Sequence, residues 1–284
     1  MNYFCDVAKN EQKTTGDGVS VRCVLNYEPP CGVGDGIPCP GQPTVTDHEN
    51  NVYNTVKIGN QCWMKENLRT TTSPSTGTYL ISQASPTYTY TGKQARWYDN
   101  DSATYAPQNY GLLYNWNAAV DTFNTAPEFG ETSVNVYENN AVLVTFNGHR
   151  RGICPEGWHL PSDEDWTQLI NYVSSQNCYI CDGDNNHIAK ALASTTGWNS
   201  SIFTCTIGNE MSKNNATNFS AVPAGGRVGS SFFGADDLIH FWSSTQTLTS
   251  SSRSNLCYLI YDNLNLVESN SFKSSSFSVR CLRD

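Results

Sequence analysis

The chain is poor in charge, and the charge it has is mostly acidic. Of 284 residues only 15% are charged, with 26 Asp and Glu against 17 Lys and Arg, for a net charge of -9. No dense basic run occurs, which argues against nucleic acid and anionic membrane surfaces as partners. No apolar run approaches the roughly 20 residues that span a bilayer, so membrane insertion is not expected. Residues Met1 to Asp6 lack the basic start and apolar core of a secretory leader. A secreted form would therefore be a processed chain or part of a longer one. The five histidines, His48, His149, His159, His187 and His240, are scattered, and no Gly-x-Ser-x-Gly or other activation motif accompanies them. A nucleophile held beside a base is not legible, so neither an enzyme nor a cofactor is expected.

What the chain does have is cysteine, 11 in all, in a background of Asn, Ser, Thr, Gly and Tyr. That mixture suits an oxidising compartment and an extracellular, loop-rich domain. An odd count also leaves at least one thiol free or paired between chains. Cys23 is the first candidate for that role and Cys5 the next.

The stretch Cys154-Pro155-Glu156-Gly157-Trp158-His159-Leu160-Pro161 combines a cysteine that can staple, a turn and a large aromatic to bury. A helix start follows it. Ser162 is a good N-cap with Asp165 in capping-box position, and Trp166, Leu169, Ile170 and Val173 form one buried stripe. At the other end, Phe277 to Asp284 alternates apolar and polar residues like a half-buried strand and carries Cys281. A Cys154–Cys281 bridge is the candidate staple, worth about 4–5 kcal/mol in the chain-entropy model.

These residues also carry a resemblance. Val56 to Arg69, Tyr110 to Trp116, Cys154 to Pro161, Phe241-Trp242-Ser243-Ser244-Thr245 and Phe277 to Cys281 occur in the order seen in the Fibrobacter succinogenes major paralogous domain family. The resemblance covers about Thr44 to Asp284. It implies a bacterial, secreted or surface-exposed module related to the C-type lectin fold and to formylglycine-generating enzymes. The expected fold class is α+β: two helices, from Ser162 and over Ile188 to Ala193, packed on a twisted, mostly antiparallel sheet with long loops and several disulfides. The family more often has a small residue where Cys62 stands, which suggests an extra bridge toward the N-terminal segment.

The first 26 residues depart from the family. Gly18-Val19-Ser20-Val21-Arg22-Cys23-Val24 repeats Ser276-Phe277-Ser278-Val279-Arg280-Cys281-Leu282 almost residue for residue. Residues 1–26 thus read as the closing hairpin of a preceding repeat, or as a donor strand that completes a neighbour, with Val19, Val21, Cys23, Cys5 and Cys62 as inter-subunit candidates. Pairing with an edge of its own domain is the plain alternative. Residues 27–43 read as a Gly- and Pro-rich linker with Cys31 and Cys39 as a local clip, and residues 44–284 as the domain itself.

Cys178-x-x-Cys181 with Cys205 and His187 has half of a zinc pattern, but the second half-site is missing. Disulfide pairing among Cys178, Cys181, Cys205 and Cys257 is expected instead. Asp182-Gly183-Asp184-Asn185-Asn186 resembles the opening of a calcium loop and lacks its closing Glu, so a solvated turn is expected there. Loop aromatics are the best hint of a ligand: Trp97, Tyr98, Tyr79, Tyr88, Tyr90, Phe232 and Phe233. The leading functional expectation is a non-enzymatic extracellular subunit at a bacterial cell surface, repeated or polymerising through its N-terminal strand. Its partners would be copies of itself or neighbouring homologous domains. The alternative is a lectin-like module that binds glycan or a host or surface protein.

Overall fold

Side-chain oxygens at turns set the first strands. Asp47 Oδ1 accepts hydrogen bonds from the backbone N–H of Glu49 and Asn51, both at 2.9 Å, and its Oδ2 accepts from the Tyr53 hydroxyl at 2.8 Å. This Asx-type turn fixes the first hairpin where Asp47 to Asn51 predicts one. The computed structural model describes residues 34–81, 92–121, 132–138, 141–147, 149–247, 249–250 and 252–284. In chain order the first strands are β1 (Thr44–Thr46), β2 (Val52–Ile58), β3 (Gln61–Met64), β4 (Ala95–Arg96) and β5 (Leu113–Asn115). Then come β6 (Thr132–Glu138), β7 (Ala141–Asn147), β8 (Trp158–His159), β9 (Ala224–Val228) and β10 (Ser231–Ala235). The last are β11 (Leu238–Gln246), β12 (Arg253–Ile260), β13 (Val267–Phe272), β14 (Ser276–Phe277) and β15 (Leu282–Arg283). The helices are α1 (Ser102–Tyr105), α2 (Trp116–Ala119), α3 (Asp163–Ser174) and α4 (Ala189–Leu192).

One sheet is five-stranded in the order β1-β2-β3-β15-β8, and another is eight-stranded with the path β13-β12-β11-β9-β14-β5-β4 and β10 beside β9. The pair β6-β7 forms a two-stranded sheet of its own. The α+β, C-type lectin-like expectation is corrected by this architecture: the fold is mostly β. Among the described residues only α3 is longer than a single turn. The second expected helix shrinks to α4, because Ile188 offers no side-chain cap and the backbone turns extended at Ala193. A four-residue helix has no length over which its hydrogen bonds can offset nucleation. Among the described residues no helix is long and apolar enough to cross a membrane.

Helix α3 forms where the capping box places it. Ser162 Oγ accepts from the Asp165 N–H at 3.3 Å, and Asp165 Oδ2 accepts from the Ser162 N–H at 2.8 Å. Its buried face is Trp166, Leu169 and Val173, each contributing roughly 2 kcal/mol by leaving water. Trp166 packs 4.8 Å from Trp63 and 5.5 Å from Phe241, so the helix is seated on both sheets at once.

The strand that joins the sheets is the C-terminal one. Ser276 and Phe277 pair with Asn115 and Tyr114 in the larger sheet, while Leu282 pairs with Trp63 and His159 in the smaller. Between them the Leu68 N–H donates to Val279 O at 2.9 Å and the Met64 N–H to Cys281 O at 3.0 Å. Every residue from Ser275 to Leu282 is buried. The alternation of this segment predicts a strand with one wet face; up to Leu282 it instead lies between layers and has none, and only Arg283 and Asp284 reach solvent.

Candidate functional site

The closing strand is held by a staple, a cation and a turn. Cys154 and Cys281 form a disulfide at a sequence separation of 127. Gly157 takes a φ of 77°, which lets the Pro155-Glu156-Gly157 turn bring Trp158 inward, and the Trp158 N–H donates back to Pro155 O. Arg280 is fully buried, with its guanidinium 4.5 Å from the Phe219 ring centre and 5.3 Å from that of Phe241. Its Nε and Nη2 donate to Asn67 Oδ1 at 3.2 and 2.6 Å, and Nη1 donates to the Phe219 carbonyl. Burial pulls this guanidinium down to about 9, which leaves it a cation at neutral pH.

Cysteine positions revise two expectations. Cys39 is bonded to Cys62, so the expected Cys31–Cys39 clip is corrected: the segment is stapled to the β2–β3 hairpin rather than looped on itself. Asp35 adds to this docking, accepting from the Tyr172 hydroxyl at 2.7 Å and from the Gly59 N–H at 2.8 Å. Cys181 pairs with Cys205 and Cys178 is in a disulfide too, whereas Cys257 is a free, buried thiol, not the bridge partner expected. It sits on β12 among the apolar core, and burial pushes its thiol well up, which keeps it unreactive. The Cys181–Cys205 bond also removes two thiolates from the half zinc pattern. Cys5, Cys23, Cys31, Val19, Val21, Tyr88 and Tyr90 lie outside the described residues.

Two of the expected ligand contacts meet on one face. Tyr98 lies 5.3 Å from Phe232, and the row continues through Tyr105 at 4.9 Å from Tyr98 and Tyr110 at 5.2 Å from Tyr105. Tyr98, Tyr105 and Phe232 are half-buried, so the row is partly open to solvent. Polar groups flank them: the Tyr110 hydroxyl donates to Asp236 Oδ1 at 2.6 Å, and the Arg227 guanidinium lies 5.7 Å from the Phe232 ring. Burial and the Asp236 carboxylate both raise Tyr110, which stays a neutral donor. Trp97, by contrast, packs against the core, Phe233 turns toward His240, and Tyr79 is exposed at 61% on a different loop. Tyr105, Arg227 and Asp236 carry no local motif, Tyr110 only opens the Tyr110 to Trp116 motif, and only the fold brings them beside Tyr98.

The acidic loop after Cys181 is held by its own bonds. His187 Nδ1 lies 2.8 Å from Asp182 Oδ1, and Asp184 Oδ1 accepts from the Asn186 N–H at 2.9 Å. A second histidine group forms where β8 meets α3. His159 is buried, with Nδ1 at 2.7 Å from Asp284 Oδ1 and Nε2 at 3.4 Å from Asp165 Oδ2. The exposed His149 ring lies 4.1 Å from that of His159.

Comparison with known proteins gives one match. The model of the Fibrobacter succinogenes major domain matches residues 56–283. No curated protein and no solved structure matches the chain.

Proposed function

The chain belongs to the Fibrobacter succinogenes major domain family, and from that premise we propose that it is a secreted, non-enzymatic structural unit of a bacterial surface assembly. Its domains would be joined through the segment at residues 18–24. The disulfides fit a secreted protein. One observation carries the finer reading: Ser20-Val21-Arg22-Cys23 repeats Ser278-Val279-Arg280-Cys281 of the closing strand, with Val19 for Phe277 and Val24 for Leu282 on either side and Gly18 where Ser276 stands. In this domain that slot is occupied, with Cys281 bonded to Cys154 and Arg280 enclosed. The second Val-Arg-Cys segment therefore has no vacancy at home and suits the same slot in another body of the family.

The test uses material from the surface of cells that make the full chain, run on non-reducing gels and viewed by electron microscopy. Val21→Asp with Cys23→Ser is the comparison. Loss of covalent ladders or of extended assemblies in the double variant is the expected result; assemblies that survive it unchanged would defeat the proposal.

A second reading, ligand binding, is favoured by the Phe232–Tyr98–Tyr105 row with Asp236 and Arg227 beside it, a pattern suited to stacking on a sugar or a protein side chain. Glycan-array binding that Tyr98→Ala abolishes and the 21/23 variant preserves would move this reading ahead.

A further inference from the structure

A buried imidazole nitrogen faces a carboxylate oxygen here without a hydrogen bond between them. His159 Nε2 is buried without a hydrogen-bond partner and lies 3.4 Å from Asp165 Oδ2. We propose that His149, His159 and Asp165 form a binding site for one divalent transition-metal ion, with zinc the ion its donors suit best. One ligand atom from each of these residues falls within 4.8 Å of the others.

The backbone brings them together from three places. Arg150 bridges Leu160 in antiparallel fashion, which sets residues 149 and 159 as diagonal neighbours on one face. Asp165 is fixed by the capping box, its Oδ2 receiving both the N–H and the hydroxyl of Ser162 at 2.8 and 2.7 Å. Asp284 acts behind the site: its carboxylate can only accept, so His159 Nδ1 carries the proton of that 2.7 Å contact. Nε2 is then the lone-pair nitrogen. The Nε2 lone pair and the anionic Asp165 carboxylate then lie 3.4 Å apart in a buried setting, where a cation held by both would be favourable.

A carboxylate that orients a histidine through its far nitrogen is the usual support of a metal-bound imidazole. Two imidazoles and one carboxylate suit zinc, and the exposed side of His149 leaves the fourth position to water or an incoming ligand. The competing occupant is a second proton, which would make His159 an imidazolium bridging Asp165 and Asp284.

The test is calorimetric titration of the metal-free full chain with Zn²⁺, with Co²⁺ as a coloured substitute. The expected result is one ion per chain and visible Co²⁺ bands of a four-coordinate site. Asp284→Asn should weaken zinc roughly tenfold or more by releasing the support, and His149→Ala should weaken it further still. His187→Ala, at the unrelated acidic loop, should change nothing. His149 is exposed, so the melting of its metal-free variant should match wild type. Absence of heat and colour would overturn the proposal and leave the proton as occupant. Binding that survives His149→Ala, or that disappears with His187→Ala, would overturn it as well.

Discussion

Arg280 lies in the closing segment and His159 pairs with Leu282 of that segment, and the fold treats the two in opposite ways. Each of the three Arg280 guanidinium nitrogens has an oxygen partner, and two aromatic rings flank the group. His159 has one nitrogen answered by Asp284 and the other left without a hydrogen bond. A buried polar group whose demands are met is architecture, because the surrounding packing is its purpose. One left without a hydrogen bond beside a second imidazole and a carboxylate is a candidate for holding an ion. The contrast fits a Val279-Arg280-Cys281 seam that closes the domain and a His149–His159–Asp165 group that binds.

The largest effect should come from the staple. Replacing Cys154 and Cys281 together by Ser reopens a segment of 127 residues and should cost about 5 kcal/mol in denaturant unfolding, on the chain-entropy account. Arg280→Ala comes next. It strands Asn67 and the Phe219 carbonyl and empties the space between two rings, for a loss of roughly 3–4 kcal/mol. Arg22→Ala sharpens the comparison: it should leave the melting of the domain unchanged and loosen the surface assembly instead. If Arg280→Ala proved as mild as Arg22→Ala, the architectural role would fall.

A third test uses pH. His240 is half-buried among Phe233, Tyr258 and Phe277, stacked at 4.6 Å on the last, and loss of solvation lowers it to about 4 from its usual 6.5. Between those values the unfolded chain holds a proton that the native state does not. Stability should therefore fall as pH drops from 6.5 toward 4, by up to about 3 kcal/mol. His240→Phe should flatten that slope, and an unchanged acid melting curve would refute the assignment. The smallest effect belongs to the pocket: His149→Ala should move metal-free stability by less than about 0.5 kcal/mol.

Local chemistry was legible in the sequence wherever the signal was local. Ser162 and Asp165 announce the capping box, and Trp166, Leu169 and Val173 announce the buried stripe, because both depend on residues within two turns. The Cys154–Cys281 pairing followed from each cysteine lying in a recognisable strand or turn. The fold class did not follow, since a four-residue α4 and strands as short as β8 depend on layers that periodicity does not report. Cys39 reached Cys62 because Asp35 and Gly36 dock against β2 and α3, contacts with no signature in a Gly- and Pro-rich stretch. The aromatic row and the His149–His159–Asp165 group unite distant segments. Composition names such residues but cannot assemble them.

The central claim is that the segment around Cys23 closes a second family domain, as Cys281 closes this one. Its most direct test is a non-reducing peptide map, by mass spectrometry, of the protein taken from its native surface. Cys23 joined to a Cys-Pro-x-Gly-Trp cysteine of a body other than this domain is the predicted result. Cys23 as a free thiol, or joined to any cysteine between residues 34 and 284 of its own chain, would contradict the account.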